Sequence, residues 1–196
     1  MMFGLNKESC VEGNDVKIVS WNVKGLGHII KRGKVFSHLK SLKADVIFLQ
    51  ETHRNINNQQ TLRAKWISQV YQAPFTSKAR GVAILFKKNV SFCPDSVVAD
   101  PYGRYLIVTG QINSIPITLL NIYAPNVDNP DFFKNVFNLI PTVTANIIIG
   151  GDFNCFLDIF LDRLSTKAPS NIRSVQTLND LIKTRNLIDI WRLQHP

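Results

Sequence analysis

With 196 residues, 45% of them hydrophobic and 19% charged, the chain has enough apolar material for one domain with a sizeable core and too little charge for a disordered polyelectrolyte. Its 23 Lys and Arg outnumber 14 Asp and Glu, and the net charge of +9 favours a polyanionic partner, because cations gain affinity by releasing counterions from phosphates. No apolar run approaches the length of a membrane span, and the opening residues lack the plan of a secretory signal, so a membrane partner is not expected.

In chain order, residues 1–15 read as a short flexible leader and 16–196 as one domain. Val16–Trp21 is predicted as a strand. Lys31–Leu42 is predicted as an amphipathic helix, with Val35, Phe36, Leu39 and Leu42 at helical spacing. Asp45–Gln50 reads as a buried strand. Thr61–Tyr71 reads as a helix that puts Leu62, Trp66 and Val70 on one face. The period then changes. Gly81–Phe86, Ser91–Ala99, Arg104–Gln111 and Ile115–Ile122 read as strands, with turn chemistry at Pro101–Gly103 and Asn113–Ser114. Asn129–Leu139 is predicted as a helix with Pro130 at its first position. Ala145–Ile149 is a predicted strand and Ile172–Arg185 a predicted helix; Leu187–Trp191 begins another strand or packs as a loop. Periodicity alone supports a mixed α and β domain.

Four apolar runs end in residues able to hold metal or phosphate: Ser20-Trp21-Asn22, Gln50-Glu51-Thr52-His53, Asn121-Ile122-Tyr123-Ala124-Pro125-Asn126 and Gly150-Gly151-Asp152-Phe153-Asn154. If these strands lie side by side, Asn22, Glu51, Tyr123, Asp152 and Asn154 converge at one end of them. Glu51 is the leading metal-ligand candidate, since an uncompensated carboxylate at the end of an apolar strand would be costly. Cys10, Cys93 and Cys155 are odd in number and widely spaced, without zinc spacing or a disulfide framework, which fits a reduced intracellular compartment. Cys155, beside Asn154, reads as a free thiol in a loop.

This ordered set resembles the endonuclease/exonuclease/phosphatase superfamily of divalent-metal phosphodiesterases. Within it, Trp21-Asn22-Val23-Lys24-Gly25-Leu26, Asp162-Arg163 and Asp189-Ile190-Trp191-Arg192-Leu193-Gln194-His195-Pro196 resemble the apurinic-type endonuclease domain of LINE-1-like retrotransposons. The resemblance implies an α/β fold of four layers, two packed mixed sheets flanked by helices. It implies a magnesium ion, with manganese as the alternative, DNA as partner, and a nuclear setting. It also implies further strands after Pro196 carrying an aspartate and an Asp-His pair, so the domain is expected to be C-terminally incomplete and its activity impaired.

By the same resemblance Glu51 holds the metal. Asn22 either orients Glu51 or contacts the metal through its amide oxygen. Asp152 aligns and deprotonates the attacking water, and Asn154 and Tyr123 give hydrogen bonds to phosphate oxygens, although Tyr123 also reads as an aromatic packed on Pro125. His53 supports the site by hydrogen bonding, His195 matches a structural His-Pro, and His28 and His38 read as loop and helix-surface residues. Lys31, Arg32, Lys34, Lys40 and Lys43 form either a solvated helix face or a DNA-facing one. The expected function is a magnesium-dependent nuclease that nicks duplex DNA. The alternatives are an inactive DNA-binding fragment, an abasic-site repair nuclease, or a phospholipid or inositol phosphatase on the same fold.

Overall fold

A computed structural model describes residues 1–5, 16–57, 62–141, 146–157 and 171–194. The elements run β1 (Met2–Leu5), β2 (Ile18–Asn22), α1 (Ile29–Ser41), β3 (Val46–Gln50), β4 (Ile67–Ala73), β5 (Val82–Lys87), β6 (Phe92–Ala99), β7 (Tyr105–Ile112), β8 (Ile115–Tyr123), α2 (Pro130–Asn138), β9 (Ile147–Asp152), α3 (Ile172–Thr184), β10 (Leu187–Asp189) and α4 (Ile190–Gln194). Two mixed sheets result, ordered β10-β1-β9-β8-β7-β6 and β2-β3-β5-β4.

Alternation along the strands sends side chains into different layers. In β3, Ile47 and Leu49 meet Val35, Phe36 and Leu39 of α1, while Val46 and Phe48 face the other sheet. With both faces covered, all five residues of β3 are buried, which is why its sequence reads as an unbroken apolar run. Between the sheets, Phe86 of β5 stacks on Phe92 of β6 at 4.0 Å between ring centroids. Beyond the larger sheet, Phe133, Val136 and Phe137 of α2 and Leu178 of α3 pack on Ile107, Leu120, Ile122 and Ile149. The order is therefore helix, sheet, sheet, helices, the four-layer arrangement expected. Asn129 caps α2 by accepting the Phe132 N–H, and Pro130 takes its first turn, where a missing N–H costs nothing.

Three local expectations are corrected. Residues 67–73 form β4 rather than the end of a helix, because Ile67, Val70 and Tyr71 suit a strand that pairs antiparallel with β5; Leu62 and Trp66 still pack beneath α1. Residues 2–5 are not loose. They pair antiparallel with β9 and β10, and the fully buried Phe3 meets Phe153 edge-on at 5.4 Å. The segment from Leu187 divides into the short strand β10 and the helix α4. Cys10, Thr61, Asp162, Arg163, His195 and Pro196 lie outside the described residues.

Candidate active site

The four motif-bearing strands end at one rim. Parallel pairing of β2 with β3 sets Asn22 beside Gln50, one residue before Glu51. Parallel pairing of β8 with β9 sets Tyr123 beside Asp152. The turns above continue these ladders: Gly25 N–H donates to Glu51 O at 2.7 Å, His53 N–H to Arg80 O at 2.9 Å, and Ala124 N–H to Asp152 O at 2.9 Å. Lys24, Glu51, His53, Arg80 and Asn154 all have positive φ, between 46° and 58°, a conformation that costs non-glycine residues energy and clusters at functional sites. At Gly151 the requirement is absolute. Its φ is 146°, and a Cβ there would collide with the Ile122 carbonyl, so only glycine lets β9 lie this close to β8.

Asn22 joins the two sheets at this rim. Its Nδ2 donates to Glu51 Oε1 at 2.8 Å and to Asp152 Oδ2 at 2.7 Å, while its Oδ1 accepts the Lys24 N–H at 3.1 Å. One amide thus holds two carboxylates from opposite sheets. Glu51 Oε2 lies 3.2 Å from His53 Nε2. Burial opposes ionisation of Glu51, but hydrogen bonds from Asn22 and Tyr123, together with His53, outweigh it and hold its pKa below the ordinary value. Burial, and then the negative charge of Glu51, push the Tyr123 phenol up to about 12, so at neutral pH it remains an O–H donor. Asp152 Oδ1 accepts the Asn154 N–H at 3.1 Å, and Asn154 Nδ2 donates to Ala124 O at 2.7 Å. A cleft of about 380 Å³ opens here, lined by Glu51, His53, Tyr123, Lys78, Arg80 and Arg104 among others.

All five candidate residues therefore meet. Among the described residues no group of three or more His, Cys, Asp and Glu is arranged to hold a metal. The Glu51 and Asp152 pair, two hard oxygen donors, nevertheless suits magnesium, which keeps several waters and needs few carboxylates.

The chain matches the Endonuclease/Exonuclease/phosphatase family over residues 19–180. It belongs to that family. It is 31% identical over 187 residues, 92% of its length, to the "Transposon TX1 uncharacterized 149 kDa protein" of Xenopus laevis, of which it spans 14%. Among solved structures it resembles AP endonuclease LMAP from Leishmania major, at 19% identity and a TM-score of 0.72, covering 92% of this chain and 70% of that one. It also resembles D. rerio TDP2 complexed with single strand DNA product, at 22% identity and a TM-score of 0.56, covering 74% and 62%. The transposon relative accords with the LINE-1-like local motifs.

Elsewhere in this family member the other sequence candidates separate from the rim. Cys155 is buried, and Lys34, Lys40 and Lys43 are exposed. Lys31 donates to Lys24 O at 2.7 Å and Arg32 to Leu26 O at 3.1 Å, so these two brace the loop after Asn22. His38 packs edge-on to Trp21. No helix among the described residues is long and apolar enough to cross a membrane.

Sequence reasoning missed two features. Arg80 and Arg104 reach the cleft from turns remote in sequence, with no local pattern to mark them. Behind the rim, Gln50 Nε2 donates to Asn121 Oδ1 at 2.7 Å and to Ser20 Oγ at 3.1 Å, and Asn121 Nδ2 donates to the carbonyls of Leu49 and Ala83. Both amides belong to the strand-end motifs, and their polar character in otherwise apolar strands is a local signal, but their pairing across 71 residues leaves none.

Proposed function

We propose that this chain is a DNA endonuclease domain of the retrotransposon type, which nicks duplex DNA with magnesium or manganese in a nuclear setting. The observation that carries this is the Asn22 amide bridging Glu51 and Asp152. The net charge of +9, the transposon relative, and the named DNA product of one structural neighbour support DNA as the polyanion.

Each side chain then has a role its chemistry permits. Glu51, kept ionised by its donors, holds the metal with Asp152 nearby. Asn22 orients Glu51, since its Oδ1 is engaged by Lys24; this favours positioning over a metal contact through the amide oxygen. Asp152, with its carboxylate fixed from both oxygens, aligns the attacking water and accepts its proton. The second amide hydrogen of Asn154 donates to a phosphate oxygen, while Tyr123, whose single O–H is given to Glu51, helps keep that carboxylate ionised. When bound, magnesium neutralises phosphate charge and stabilises the leaving oxygen.

The test is nicking of supercoiled plasmid with and without magnesium. Nicking should require metal and fall by at least about 10²–10³-fold in Asp152→Asn, the loss typical of removing one transition-state contact. Persistent nicking in that variant would overturn the Asp152 assignment. Glu51→Gln should raise the magnesium requirement by at least about 10–100-fold, the loss typical of a residue that merely orients a metal ligand, and an equal magnesium response in both proteins would remove Glu51 from the metal. Metal-dependent turnover of a soluble phosphate monoester without nicking would move the chain to a phosphatase role. Preference for an abasic over an intact duplex would identify a repair-type nuclease, and binding without any cleavage would leave a DNA-binding module.

A further inference from the structure

We infer that Lys78, Arg80 and Arg104 form a subsite for a phosphate of the DNA strand flanking the one that is cleaved; this rests on the endonuclease function above. The three cations share the cleft with Glu51 and Tyr123, and Asp152 lies outside its lining. Tyr123 makes the division. Its hydroxyl engages Glu51, while Arg104 lies against the ring face, with Cζ 5.6 Å from the centroid. Arg104 is fixed further by donating from Nη1 to Tyr123 O at 3.3 Å.

Arg80 is equally constrained. Its backbone is left-handed, its carbonyl accepts the His53 N–H, and its guanidinium sits 4.7 Å over the Phe75 ring. A cation stacked on a ring keeps its N–H edge free for an anion and loses little rotamer freedom when one arrives. Lys78 projects from the exposed turn beside it. Among the described residues none of the three forms an ion pair. Burial, and then the charge of Arg80, lower the pKa of Arg104: two guanidinium groups press on each other. An incoming phosphate relieves that repulsion. A guanidinium fork suits a pair of anionic oxygens, which a backbone phosphodiester presents along a strand at regular intervals.

The experiment measures binding of the full chain to a short duplex in EDTA, so that cleavage plays no part. Arg80→Gln should weaken binding about three- to tenfold and make the slope of log affinity against log salt shallower by about one. Replacing phosphates one at a time by neutral methylphosphonate then locates the contact. At one flanking position the wild-type protein should lose affinity while Arg80→Gln loses no more, the non-additivity of groups that touch. Wild-type affinity and slope in Arg80→Gln would overturn the subsite, as would coupling confined to the cleaved phosphate. If Arg80→Gln fails to melt cooperatively, Lys78→Gln, on the exposed turn, is carried through the same measurements with the same expected and overturning results. Nicking that survives with no Arg80 dependence in binding would reject the subsite and keep the nuclease. Arg80-dependent binding without nicking would do the reverse.

Discussion

Tyr123 links two groups of opposite charge. Its phenol donates to Glu51, and its ring carries Arg104. Because that donation helps depress the Glu51 pKa, Tyr123→Phe should let it rise toward the ordinary carboxylate value. The sign follows. A depressed carboxylate contributes stability that is present above its ordinary pKa and lost as pH falls through the folded value. In the variant, protonation of Glu51 therefore begins at higher pH on acidification. The acid limb of the nicking profile should move upward in pH, separately from any lowering of its height. An unmoved acid limb would show that Tyr123 does not tune Glu51. The candidate residues were legible because they stand at the ends of apolar runs, where a carboxylate or amide has few apolar explanations; Tyr123 also has the reading of an aromatic packed on Pro125. Arg80 and Arg104 were not, because a cation in a turn has many.

At the scale of elements, the strands that bear motifs were readable from their lengths and their terminal residues, and the helices from their spacing and from Pro130. Two errors have physical causes. Leu62, Trp66 and Val70 fall at helical spacing, yet the pairing of Ile67–Ala73 with β5 decides the conformation, so tertiary contact overrides local period. Residues 2–5 form a strand too short to register as a pattern, and only its two neighbours, β9 and β10, make it one. The polar lock of Gln50 and Asn121 between the sheets was equally hidden, since partners 71 residues apart leave no mark on a local window. Asn121→Leu should cost about 1–3 kcal/mol, because it leaves the buried Gln50 amide with Ser20 alone and takes the donor from the Leu49 and Ala83 carbonyls. The double change with Gln50→Leu should recover part of that loss, since no buried Gln50 amide then remains short of a partner. Urea unfolding of the three variants decides it; a double variant weaker than the sum of the singles would show that the lock does more than satisfy itself.

On the scale of the whole molecule, the chain builds one sheet almost entirely before the other. The four strands of the smaller sheet lie within residues 18–87, and β6 to β10 of the larger follow from residue 92, with only β1 contributed from the start. Asn22 and Glu51 thus travel with the first stretch, and Tyr123, Asp152 and Asn154 with the second. Neither stretch owns a working centre. A chain cut in the turn between Lys87 and Phe92 should yield two inert pieces, and only their reunion should restore the two carboxylates under one amide. Co-expressed pieces should nick plasmid only when both are present, and Asp152→Asn in the second piece should silence the pair however well the first is made. The same division means that a divalent ion at the rim would act as a clasp across the seam, so that prising the sheets apart and releasing the ion become one event.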